Sequence, residues 1–523
     1  TTANYSIAIG YSAISLGVMT GTDNTAIGRQ AGNDLTSGTY NVFGGYAAGK
    51  NATTASYTVA IGSEAIGTGI LTGVSNVAIG RLAGNDLTSG TYNNFMGYAA
   101  GTNATTANNT VAIGNGAIGV GVLTGTDNIA IGQLAGADLT SGAYNFFGGY
   151  QAGFNATTAS YTVAIGPQAI GLGVLTGASN IAIGRQAGYD LTSGTYNNFM
   201  GYQAGANATT ASNTIAIGSS AIGLGVLTGS YNIVIGNLAG YDLTSGTYNF
   251  FGGYSAGANA TTGDDNVAIG QSSLGGAALT GDRNIAIGYQ AGYDLTSGTY
   301  NVFGGYKTGL DLTTGSYNVL QGYQAGANAT TASNTIAIGK DVMSLGVLTG
   351  ANNIAMGNTA GNDLTSGANN IFQGVGAGAN ATTGSQNLAI GYQAINAGIL
   401  TGTENVAIGR EAGNDLTSGI RNSFIGYGAG ANATTASNTV AIGNTAIGSG
   451  ILTGTDNTAI GRQAGNDLTS GTYNNFMGYQ TGANATTPNY SIAIGYSTIG
   501  AGVLTGTDNT AIGRQAGNDL TSG

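Results

Sequence analysis

Apolar residues along this chain come in runs of three, set between small polar residues and glycine and repeated at a nearly constant interval. Residues 24–40 read NTAIGRQAGNDLTSGTY, residues 41–57 read NVFGGYAAGKNATTASY, and residues 58–75 read TVAIGSEAIGTGILTGVS. Each phrase begins with a strand-sized apolar run, turns at Gly and passes an Ala-Gly or Ala-Ile-Gly step. It ends in a Thr-rich stretch that predicts a second short strand. The Asp of the DLTSG phrase sets the ruler: Asp34, Asp86, Asp138, Asp190, Asp242 and Asp294 stand 52 apart, as do Asp363, Asp415, Asp467 and Asp519. The step from Asp294 to Asp363 is longer by 17, with the surplus around Leu310 to Gln321. A unit of 17 that can be inserted without loss of register identifies the coil. Three-coil blocks of 17, 17 and 18 residues therefore predict an all-β, parallel β-solenoid of about 30 coils. Residues 1–523 read as one continuous segment, open at both ends and in mid-repeat.

A single coil buries too little to fold alone, and its glycines lose much backbone entropy on ordering. Stacking cures this, because each strand pairs with its copy above and below at about 4.8 Å and equal side chains form ladders. One ladder is Ile27, Ile61, Ile79 and Ile113, at the fourth position of the first and third phrases. Bulk at one phase predicts that these isoleucines face the core. The third position is Ala there but Phe in the second phrase: Phe43, Phe95, Phe147, Phe199, Phe251, Phe303, Phe372, Phe424 and Phe476. Neighbouring strand residues face opposite sides, so this exchange of bulk predicts that both faces are packed, one inside the coil and the other against a second chain.

Composition narrows the classes of function. With 97 Gly but 2 Pro and no every-third-residue glycine, the chain is not collagen, and 42% hydrophobic residues at fixed phases are not the mark of disorder. Cys and His are absent, which removes disulfides, the usual zinc ligands and the commonest general base; no catalytic residue, cofactor or metal is expected. A net charge of −11 is thinly spread, and 11 Lys and Arg residues cannot form a phosphate-tracking stripe, so nucleic acid is not an expected partner. No apolar stretch approaches the roughly 20 residues that span a bilayer. The chain begins within a repeated phrase and without Met, as expected of a mature piece or a fragment of something longer.

At residues 6–10 (SIAIG), 24–32 (NTAIGRQAG) and 76–84 (NVAIGRLAG) the sequence resembles the head repeats of trimeric autotransporter adhesins and the related shaft repeats of phage tail fibres. The resemblance covers essentially the whole chain. It implies a left-handed parallel β-roll, a homotrimer of three chains side by side, and an extracellular place on a cell surface or virion. Two departures stand beside it. The coils are longer than the usual adhesin-head unit, and the sequence contains no neck, coiled-coil stalk, anchor or self-cleaving chaperone domain.

Several recurrent residues invite chemistry. The DLTSG aspartates recur three coils apart, roughly 14 Å, too far to share a calcium ion, and fit a turn that hydrogen-bonds local backbone. Arg29, Arg81, Arg185, Arg410, Arg462 and Arg514 share a phase with polar substitutes and read as a solvated edge. Tyr46, Tyr98, Tyr150 and their equivalents either pack over a Gly-rich corner or stack on sugar rings. The NAT phrases at Asn51, Asn103, Asn155 and onward match a glycosylation sequon but read more simply as stacked turns. Thr-rich stretches raise ice binding as a remote alternative, although a doubled Thr grid is interrupted in every third coil. The expected role is a non-enzymatic extracellular fibre, an adhesive or spacer rod, with itself and a surface receptor or glycan as partners. The alternative is a filament or sheath subunit joined end to end.

Overall fold

The computed structural model describes residues 5–16 and 18–522, in two compact units, residues 1–264 and 265–523. The first holds strands β1 (Ile7–Ile9) to β15 (Phe250–Gly252) and the second β16 (Val267–Ile269) to β30 (Thr510–Ile512), with no helix among the described residues. Every strand has three residues, and within each unit every strand pairs in parallel with the next. Register is strict. Val77, Ala78 and Ile79 face Asn94, Phe95 and Met96, which in turn face Val111, Ala112 and Ile113. Each unit is thus an all-β, parallel β-solenoid of fifteen coils. The 17-residue surplus is one added coil, whose strand β19 (Val319–Gln321) sets Leu320 between Phe303 and Ala337.

Two expectations are corrected. The Thr-rich stretch is not a second strand and carries only isolated bridges such as Ala381 to Leu400 and Thr472 to Asn489. There the N–H groups of Thr36 and Ser37 converge on one carbonyl, that of Thr53, at 2.9 and 3.4 Å, so the alternation a ladder needs is lost. The isoleucine ladder does not face the coil interior either. Ile27 and Ile61 are 47% and 44% exposed, Ile79 and Ile113 are half-buried, and the inward residue is the middle one of each strand. In a three-residue strand the flanking side chains share the outer face. Phe43, Phe95, Phe147, Phe199, Phe251, Phe303, Phe372, Phe424 and Phe476 fill the interior, each at most 1% exposed.

The interior explains why the block has three coils. Phe95 reaches into the space below and beside it, where a Cβ on Gly84 would lie 2.8 Å from its ring and one on Gly101 2.6 Å. At the backbone position of those two glycines the third coil carries Ile66 or Ile118, with φ of 47°, a left-handed conformation rare for a β-branched residue. One Phe and one Ile therefore serve three coils, and the coil with both Ala78 and Gly84 is filled by Phe95 above it and Ile66 below. The added coil obeys the same volume rule, using Leu320 next to Phe303 where two phenylalanines would have crowded Gly309.

Glycine is fixed at one further place, directly after the strand. Gly97 has φ of 134°, and a Cβ there would stand 2.6 Å from the Gly114 carbonyl oxygen of the next coil. This backbone-on-backbone contact recurs up each unit. Just before the strand lies a buried polar ladder, the element the sequence reading missed. Asn93 donates through Nδ2 to Asn76 Oδ1 at 3.0 Å and to the Ala107 carbonyl at 2.7 Å, while its own Oδ1 accepts the Thr110 N–H at 3.0 Å. The run Asn76, Asn93, Thr110 has counterparts in both units; Thr or Ser, which cannot bridge onward in the same way, ends most runs, whereas Asn266 and Asn387 pass the ladder on to Asn284 and Asn405.

Candidate functional site

The structure repeats each candidate residue from coil to coil. Among the described residues no three His, Cys, Asp or Glu side chains stand close enough to hold a metal ion, and no helix is long and apolar enough to cross a membrane. What it offers are surfaces that run along the coils, each made by one sequence phase.

The broadest is the outer face of the parallel sheet in each unit. Its two columns are Val59, Val77, Val111 and Ile129 on one side of the inward residue and Ile61, Ile79, Ile113 and Ile131 on the other. Every third coil breaks the isoleucine column with Gly44, Met96, Gly148, Met200 or Gly252. Fifteen strands about 4.8 Å apart and three residues wide give a flat footprint of roughly 70 by 10 Å, on the order of 700 Å². In the first unit Thr25, Asn94 and Asn198 interrupt the first column, and the remaining apolar area is comparable with the roughly 300–600 Å² of the largest apolar patch on a typical monomer.

The arginines and tyrosines, read separately in the sequence, form one exposed corner, because both follow the fixed glycine. Arg29 lies 5.8 Å from the rings of both Tyr11 and Tyr46, and Arg410 lies 5.4 and 5.6 Å from Tyr392 and Tyr427. Where tyrosines adjoin they stack: Tyr289, Tyr306 and Tyr323 have centroids 5.2 and 5.1 Å apart. Ring faces covered by the next coil's ring or guanidinium are not open to a sugar. The exposed ion pairs, such as Arg421 with Glu404 at 2.8 Å, add little stability.

The other recurrent residues are used within the fold. In the third coil both Thr68 and Gly69 donate to the Asn85 carbonyl at 3.0 Å, a bulge that absorbs the eighteenth residue. Asn51 of the NAT phrase donates to the Thr68 carbonyl of that bulge at 2.8 Å, as Asn155 does to Leu172 at 2.7 Å. The phrase is replaced at 311–313, in the one second-type coil followed by a 17-residue coil, where the sequence is Asp-Leu-Thr. A Thr follows the inward Leu or Ala, and in the first coil Met19, so a single Thr column is continuous where the doubled grid was not. Its hydroxyls donate to the next coil's backbone, Thr36 to the Thr53 carbonyl and Thr88 to that of Thr105, both at 2.9 Å.

The aspartates divide by their neighbour. Asn33 donates to Asp34 Oδ1 at 3.0 Å, as does Asn466 to Asp467. Asp138, Asp190, Asp242 and Asp294 follow Ala137, Tyr189, Tyr241 and Tyr293, which have no amide to give. Burial pushes the carboxyl pKa of these four upward, with the charge of Asp311 adding to the effect at Asp294. No protein-family model and no curated protein matches this sequence.

Proposed function

We propose that the chain is a structural fibre segment, an extracellular spacer or adhesive rod without enzymatic activity, whose copies associate side by side as a homotrimer through the outer sheet face. The observation that carries this reading is that face: flat, uncharged, and lined by Ile27, Ile61, Ile131, Ile165 and their equivalents, which solvent does not favour. Its footprint approaches the roughly 800 Å² per partner of a stable interface. The partner is another copy, because in the first unit the break in the isoleucine column recurs every three coils, roughly 14 Å, and a surface complementary to it needs the same period. The extracellular setting and the number three rest on the resemblance of the NTAIGRQAG phrases to fibre repeats.

A spacer is defined by length. Deleting one block, Asn76 to Asp127, removes three coils from the first unit and rejoins equal phases. Electron microscopy should then show particles shorter by about 14 Å with cooperative melting retained. Loss of folding, or an unchanged length, would contradict the proposal.

A further inference from the structure

We propose that a groove beside the inserted coil is a binding site for an acidic sugar. Repeat proteins of this regularity have few local exceptions, and this segment gathers several. The groove measures about 430 Å³, within the usual range for small-ligand sites, and its walls include Lys307, Gln324, Asn328, Asp341, Leu345 and Asn362. Of the three lysines of the chain, Lys307 lines the groove and Lys340 precedes the lining residue Asp341.

The side chains of one column are not tied to one another here. In the first unit the column containing Gln151, Gln168, Gln186 and Gln203 closes itself through side-chain hydrogen bonds of 3.1–3.3 Å. In the second unit that column reads Lys307, Gln324, Asp341 and Thr359, and among the described residues no side-chain hydrogen bond ties these neighbours to one another. All four line the groove. Next to them the small residues Ala327 and Ser344 sit between Leu310 and Asn362, which deepens it.

The donors and acceptors select the ligand class. Lys340 is paired with Asp341 at 3.7 Å, whereas Lys307 has no carboxylate within 4 Å among the described residues and rests 5.5 Å from the Tyr306 ring. An ammonium in that state calls for an anionic group, and a sugar carboxylate supplies one. Asn328 spends Nδ2 on the Leu345 carbonyl at 3.2 Å and keeps Oδ1 as an acceptor; Asn362 accepts from Ser344 Oγ at 2.8 Å through Oδ1 and keeps Nδ2 as a donor. With Gln324 and the Asp341 carboxylate these form a rim suited to ring hydroxyls. Leu345, 65% exposed, offers the apolar contact for the C–H face of the ring. The tyrosine stack supports the corner without being the platform, since its ring faces are covered. The site stands on the groove alone and does not depend on the spacer reading or on association of copies.

Isothermal titration of the full chain with trigalacturonate, with maltotriose as the neutral probe, tests this. The expected result is saturable binding of one trigalacturonate per chain and none of maltotriose. Lys307→Gln should weaken binding at least about tenfold, the loss of one charge-assisted hydrogen bond, while Lys50→Gln, on the other unit, leaves it unchanged. Deleting 310–326 joins Gly309 to Ala327 and restores a regular block, so that variant should fold, as read by circular dichroism, and lose binding. Absence of saturable trigalacturonate binding at millimolar concentration, equal binding of maltotriose, or full affinity in Lys307→Gln would each overturn the proposal.

Discussion

Replacing Asn93 by Ala probes the element that ties one coil to the next. Asn93 is 1% exposed, and its side chain satisfies the Thr110 N–H at 3.0 Å and the Ala107 carbonyl at 2.7 Å. Asn76 Oδ1 keeps one partner in the variant, because the Asn93 backbone N–H still donates to it at 3.0 Å. The loss is therefore two buried backbone groups left without partners, each costing about 1 to 3 kcal/mol, or roughly 2 to 6 kcal/mol together. Thr110→Ala is the matched comparison. It removes only the bond from Thr110 Oγ1 to the Asn108 carbonyl at 3.2 Å and should cost about 1 kcal/mol. Guanidinium denaturation of both variants gives the difference, and hydrogen exchange locates it: the Thr110 amide should lose protection in Asn93→Ala, with the effect fading within a few coils because each coil contacts only its neighbours. Equal midpoints for the two variants, or a Thr110 amide that stays protected, would refute the claim that the asparagine ladder holds the stack.

Phe95→Ala should cost about 3 to 5 kcal/mol, whereas Phe95→Leu, the choice made naturally at Leu320, should cost about 1 kcal/mol; a melting curve unchanged by the alanine would show that the interior is not the core. The raised carboxyls at Asp138, Asp190, Asp242 and Asp294 hold protons in the folded state above their unfolded pKa of about 3.9, so they contribute stability below that value that is lost as pH rises through the raised one. Denaturation midpoints between pH 4 and 7 should accordingly fall less steeply in the variant with all four changed to Asn, and identical slopes would contradict the assignment. Removing eight residues, about half a coil, should abolish folding of its unit where removal of a whole block does not, since it breaks the register of every downstream strand with the coil before it; a cooperative melt for that variant would count against the coil as the unit.

The period, the strand phrases, the added coil and the packing of the phenylalanines were legible in the sequence because each coil repeats the same environment, but not which face they pack on. In an alternating strand polar residues mark the outside, but Val59-Ala60-Ile61 is apolar throughout, and bulk misleads when the interior is narrow enough to want Ala. The Asn before each strand was not among the candidate residues. The available clue was that this position is Asn, Thr or Ser in every coil and never charged, which a solvated turn would not require. The shared corner of Arg29 and Tyr46 would have emerged from aligning the phrases on the fixed glycine rather than on the aspartate. The missing second strand depended on two N–H groups sharing one carbonyl, a geometric detail that Thr-rich composition does not encode.

The central claim, that the outer sheet face is covered by copies of the same chain, is tested most directly by sedimentation equilibrium of the purified chain at micromolar concentration. The account predicts a discrete species near three times the 51.2 kDa chain mass, converted toward monomer by Ile113→Glu together with Ile131→Glu without loss of β-sheet circular dichroism. A wild-type chain that sediments as a monomer, or as polymers without limit, would contradict it.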